Sequence, residues 1–154
     1  SMDSLPFEKE YFDIIWSEGA VYIMGFEKGL CYWRDFVKPK GYIVVSEITW
    51  LKLELPKELS AFWESAYSEM APISTKIKVI ENAGLLPIGH FILPVESWWT
   101  NYYNPLNEHL KKFQEKYKDN PEARKVIEEE YAEQELFRKY SDYYNYVFYI
   151  MQKM

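Results

Sequence analysis

Apolar positions change period several times along the chain. Phe12-Asp13-Ile14-Ile15-Trp16 is short, apolar on both faces and followed by Ser17-Glu18-Gly19, which predicts a buried strand ending in a loop. From Phe26 the period turns helical through Leu30, Trp33 and Val37, and Pro39-Lys40-Gly41 is expected to stop that helix. Tyr42-Ile43-Val44-Val45 is continuous and rich in β-branched residues, which predicts a second buried strand over 42–48. Strand, helix and strand within about 35 residues make a βαβ unit with parallel strands and a right-handed crossover.

After Trp50 a linker containing Pro56 leads to Leu59, Phe62, Trp63 and Ala66 at helical spacing. A further helix is expected around Ile73, Ile77 and Ile80, with Ser74 or Thr75 as its cap and Gly84 just beyond its end. Residues 88–93, between Pro87 and Pro94, read as a third strand, and Trp98-Trp99-Thr100-Asn101-Tyr102-Tyr103 as an aromatic loop after it. Leu106, Leu110, Phe113 and Tyr117 form another helical stripe. Asn120-Pro121-Glu122 is a cap followed by proline at the first helical position, opening an acidic helix to about 142 with one solvated face. A last apolar strand is expected over 145–151. The whole is an α/β fold with four strands and helices on both faces.

The chain has 154 residues, which suits one domain. Its six Trp, fourteen Tyr and nine Phe provide for a sizeable core, because each ring buries roughly 150–250 Å² when packed. The net charge of −6 argues against a nucleic-acid partner. No run of about 18 apolar residues is present, so no membrane span is expected. Cys31 is the one cysteine, beside two histidines, His90 and His109; disulfide and cysteine-zinc chemistry are not expected, and a reducing, cytoplasmic setting is. The six glycines form neither a dinucleotide fingerprint nor a phosphate loop. No nucleophile elbow appears. His90, in an apolar strand, reads as a core histidine.

The informative stretch is Asp3-x-Leu5-Pro6-Phe7, then Phe12 to Ala20, then Trp33-Arg34-x-Phe36-Val37-Lys38-Pro39-x-Gly41. In this order and spacing it resembles the C-terminal half of a class I S-adenosylmethionine-dependent methyltransferase, of the ubiquinone/menaquinone-biosynthesis-like group. The resemblance implies half of a Rossmann-like sheet, mostly parallel, with the antiparallel last strand lying between 42–48 and 88–93. It makes Asp3 a contact for the adenine of S-adenosylmethionine, and places Ser17, Glu18, Gly19 and Ala20 along its methionine side. The family's first strand, glycine-rich loop and ribose-binding acid should precede Asp3, and this sequence does not contain them. Cofactor binding by the chain alone is therefore expected to be weak or absent.

Ligands of open parallel sheets bind beyond the carboxyl ends of the strands, where this chain carries Ser17-Glu18-Gly19 and Ser46-Glu47. Glu18 could balance a sulfonium charge and Glu47 could position or deprotonate a small-molecule methyl acceptor. Both could equally be solvated loop carboxylates. Trp50, Trp98, Trp99, Tyr102 and Tyr103 could contact the acceptor, or simply pack, and Asp3 could be a turn aspartate. Three functions follow: a methyltransferase portion, a non-catalytic remnant or interaction module without the cofactor loop, and a binding domain that uses the aromatic loop. In the complete family fold, strand 12–16 is flanked on both sides. Alone it presents an apolar edge, for which a homo-oligomer is the expected cover unless the other half of the fold is supplied from elsewhere.

Overall fold

The β-branched centre of the chain forms the spine of the sheet. The computed structural model describes residues 1–154. Strand β1 is Phe12–Ser17 and helix α1 is Phe26–Arg34, with a 3-10 turn at Val21–Ile23 between them. Strand β2 runs over Val37–Trp50, and helices α2 and α3 are Lys57–Ala66 and Ile73–Asn82. Strand β3 is Leu85–Ile92, helix α4 is Val95–Trp98, and a π-helical turn follows at Trp99–Tyr103. Helices α5 (Asn104–Lys116) and α6 (Pro121–Tyr140) lead to the final strand β4, Tyr144–Lys153.

The sheet order is β1-β2-β4-β3. β1 and β2 are parallel, and β4 is antiparallel to both β2 and β3, as the family resemblance implies. Contacts divide the chain into two compact units, Ser1–Leu93 with Tyr143–Met154, and Pro94–Asp142. In the first, Phe26, Leu30 and Trp33 of α1 and Ile80 and Ala83 near α3 pack on Ile43, Val45, Val147, Tyr149 and Met151. Alternate residues of a strand share a face, and the register pairs Ile43 with Met151 and Val45 with Tyr149, so these positions of β2 and β4 lie on the same face of the sheet. The even positions of β2, Val44, Ser46, Ile48 and Trp50, are buried too. A strand covered on both sides is what a continuous apolar run encodes.

Several boundaries differ from expectation. Val37 begins β2 instead of ending the helix: α1 stops at Arg34, whose guanidinium binds the carbonyl of Ala83, while the amides of Asp35 and Phe36 close a tighter last turn. Pro39-Lys40-Gly41 is a bulge inside the strand. Two steps along β1, from Phe12 to Ile14, face five along β2, from Val37 to Tyr42, and Lys40 takes a left-handed φ of 63°. The carbonyls of Val37 and Lys40 are held by Lys153 and Gln152. Residue 72, a proline, caps α3 instead of Ser74 or Thr75. β3 starts at Leu85, three residues early, and His90 is exposed, not a core residue. β1 is an edge, not a buried strand: Ile14 and Trp16 are 49% and 57% exposed.

The second unit is helical. Asn120 accepts the amides of Glu122 and Ala123 and caps α6, as its sequence predicts. The residues expected as an aromatic loop are α4 and the π turn. Trp98 and Tyr103 pack on Phe137 with ring centroids 4.7 and 5.7 Å away, and Arg138 stacks over Trp99. Asn107 and Gln134 exchange two amide hydrogen bonds of 2.9 Å between α5 and α6. No helix is long and apolar enough to cross a membrane.

Candidate functional site at the carboxyl ends of strands one and two

Where β1 ends, the chain turns through Ser17-Glu18-Gly19-Ala20 and is anchored by the fully buried Val21. Gly19 adopts a φ of 54° and donates its amide to Ser46 Oγ at 2.8 Å, tying this loop to the end region of β2. A Cβ there would lie 3.5 Å from the Tyr146 hydroxyl. Glu18 is exposed and accepts from the Trp16 indole. No lysine or arginine pairs with it. Asp3 is exposed in an N-terminal turn, where a hydrogen bond from Ser1 holds its carboxyl below the ordinary range.

One residue past Ser46, the pleat turns Glu47 to the other face, the one covered by α3. Glu47 is 1% exposed and ion-paired at 2.9 Å with Lys76, itself 3% exposed. The Tyr67 hydroxyl donates to Glu47 Oε1 at 2.6 Å and lies 3.3 Å from Glu69 Oε2. Lys76 also donates to the Glu69 carbonyl at 3.0 Å, with its ammonium 4.5 Å from the centre of the Phe26 ring. Burial pushes the Glu47 carboxyl upward, and the Lys76 charge pulls it back. Burial, then the adjoining Glu47 carboxylate, raises the Tyr67 phenol, so it stays protonated.

The segment 67–71 thus closes over the end of β2. Glu69 Oε2 accepts the amide of Phe26 at 3.1 Å, fastening the segment to the start of α1. Tyr22 brings its ring to 6.0 Å from Tyr67. Beside them lies a cleft of about 580 Å³ whose wall includes Gly25, Phe26, Glu69 and Lys76.

The sequence-derived residues do not come together at one place. Ser17 to Ala20 are brought to Ser46, and Glu47 to Tyr67, Glu69 and Lys76, whereas Trp50 packs against Tyr144. Trp98, Trp99, Tyr102 and Tyr103 lie in the second unit. There Tyr103 is 1% exposed and donates to Glu133, whose carboxyl burial pushes upward. Sequence reasoning missed Tyr22, Tyr67, Glu69 and Lys76. One signal was available for Lys76, which stands on the apolar stripe of α3 with Ile73, Ile77 and Ile80.

No family model matches the sequence, and no curated protein does. Solved structures match across nearly the whole chain. A Geobacter sulfurreducens S-adenosylmethionine-dependent methyltransferase, in complex with S-adenosylhomocysteine, superposes with a TM-score of 0.76 at 13% identity. It covers 94% of this chain and 59% of its own. The fold is that of S-adenosylmethionine-dependent methyltransferases. A putative sarcosine dimethylglycine methyltransferase from Galdieria sulphuraria has a TM-score of 0.74 at 15% identity, over 99% of this chain and 57% of that one. The Haemonchus contortus phosphoethanolamine N-methyltransferase 2, with S-adenosylmethionine, gives 0.72 at 13% identity, over 99% and 36%. The chain spans between about a third and three fifths of these methyltransferases' lengths.

Proposed function

We propose that this chain is the C-terminal, acceptor-facing portion of a methyltransferase of the ubiquinone/menaquinone-biosynthesis-like group, acting on a small molecule. The observation that carries the reading is the pair of polar groupings at the carboxyl ends of β1 and β2, Ser46 with the Gly19 loop on one face and Glu47 with Tyr67 and Lys76 on the other, in a fold shared with methyltransferases crystallised with S-adenosylmethionine or S-adenosylhomocysteine. Ligands of open α/β sheets bind at that edge.

Glu18 suits the cofactor chemically, being an exposed carboxylate with no basic partner. S-adenosylmethionine, when bound, supplies an electrophilic methyl group on a positively charged sulfur. Ser17, Glu18, Gly19 and Ala20 would line its methionine side, and Asp3 its adenine, by family resemblance. Glu18 would offset the sulfonium charge. Glu47, buried as it is, reaches an acceptor through Tyr67: the phenol donates to Glu47 and keeps lone pairs to accept a hydrogen bond from the acceptor. What remains for the protein is to hold the acceptor in line and exclude water.

Calorimetric titration of the chain with S-adenosylhomocysteine tests this reading. Binding weaker than about micromolar, lost in Glu18→Ala and Asp3→Ala, is the expected result. Submicromolar affinity, or measurable affinity indifferent to both substitutions, would overturn it.

A further inference from the structure

Charges around the cleft beside α1 do not cancel. Its wall carries Glu27, Lys28, Glu69 and Lys76. Lys76 is neutralised by Glu47 at 2.9 Å, and Lys28 offsets Glu27 in the sum, so Glu69 is left as an uncompensated carboxylate. Its Oε2 accepts from the Phe26 amide and faces the Tyr67 hydroxyl, while its Oε1 accepts no hydrogen bond from the protein. Gly25 leaves room for that oxygen. A Cβ at residue 25 would stand 2.9 Å from Oε1, on a backbone with a φ of 85°.

The same wall already accommodates one ammonium group. The Lys76 nitrogen lies 4.5 Å from the Phe26 ring centre and 5.9 Å from that of Tyr67, with a carboxylate and a carbonyl oxygen as acceptors. Ring faces combined with carboxylates favour a cation over a neutral group of the same shape. Tyr22, 47% exposed, extends the aromatic surface from Tyr67, the two ring centres being 6.0 Å apart.

We propose that Glu69, with the rings of Tyr67 and Tyr22, binds the ammonium group of a small cationic molecule, and that the methyl acceptor belongs to this class. The ammonium is the handle by which the acceptor is held. The assignment of the ligand as acceptor rests on the methyltransferase reading above; the cation site itself needs no cofactor.

The test is an NMR titration of the unmodified chain with choline and with its uncharged carbon isostere, dimethylbutanol. Choline is expected to bind with a Kd near millimolar and the neutral alcohol at least about tenfold more weakly. Glu69→Gln should weaken choline by about tenfold and leave the alcohol unchanged. Equal affinity for the two probes, absence of choline binding, or choline affinity unchanged in Glu69→Gln would overturn the proposal. Should that variant lose its fold, the comparison of probes on the unmodified chain decides alone. Choline binding together with an S-adenosylhomocysteine affinity indifferent to both Glu18→Ala and Asp3→Ala would sink the methyltransferase reading and leave the cation site standing. The reverse result would sink the cation site only.

Discussion

Glu47 and Lys76 face each other inside the protein at 2.9 Å, under the hydroxyl of Tyr67. Removing water from two charges is costly, and their attraction repays it only while both are present. Lys76→Met should therefore destabilise the chain by about 3–5 kcal/mol, since it strands a buried carboxylate. Substituting both residues, Glu47→Leu with Lys76→Met, should recover most of that loss, which denaturant titration of the single and double variants would reveal. A double variant as unstable as the single would mean the pair is not what the site depends on. The pH dependence has a definite sign. The Glu47 carboxyl is raised in the folded chain, so that state holds the proton more tightly than the unfolded one. As pH falls from neutral through the carboxylate range, the unmodified chain should gain stability relative to Glu47→Gln, as thermal melts of both across that range would record.

Among the elements, β2 shows what local pattern does and does not encode. Its apolar centre, Tyr42 to Val45, and the order of the four strands were legible, because continuous β-branched runs specify strands and the family resemblance supplied the pairing. The start of β2 was not. Val37 continues the helical spacing of Phe26, Leu30 and Trp33, and Pro39-Lys40-Gly41 reads as a stop signal; pairing with β1, a non-local event, turns the same residues into a bulged strand. Gly41 is the residue this bulge requires. A Cβ there would meet Val37 Cγ1 at 2.6 Å and the Asp13 carbonyl at 2.8 Å. Gly41→Ala is expected to cost about 1–3 kcal/mol, read as a lowered denaturation midpoint with an unchanged slope. The candidate site was legible only in part, for a related reason. Ser17 to Ala20 and Glu47 follow from strand ends, whereas Tyr67 and Glu69 reach Glu47 from 20 or more residues away through the course of the α2–α3 connection, which no periodicity records.

At the scale of the molecule, the two edges of the sheet are treated differently. β3, at one edge, carries Pro87 and an irregular register between Pro87 and Gly89, both of which discourage further pairing. β1, at the other, is six residues without proline or glycine, bonded to β2 on one side only. Ile14 and Trp16 stand half-exposed along it, with Tyr42 next to Ile14 on the neighbouring strand. We propose that a second copy of the chain covers this edge. Two β1 strands pairing antiparallel about a two-fold axis normal to the sheet use the same residues in both copies, and keep Ile14 and Trp16 of both on one continuous face. A mixed sheet is no obstacle, because β2 and β4 already pair antiparallel. Light scattering across micromolar concentrations should report a dimer. Ile14→Lys, which sets a charge on the edge, should return it to a monomer without lowering its helix content by circular dichroism. A monomer at all concentrations, or a dimer indifferent to Ile14→Lys, would show that β1 is not the contact.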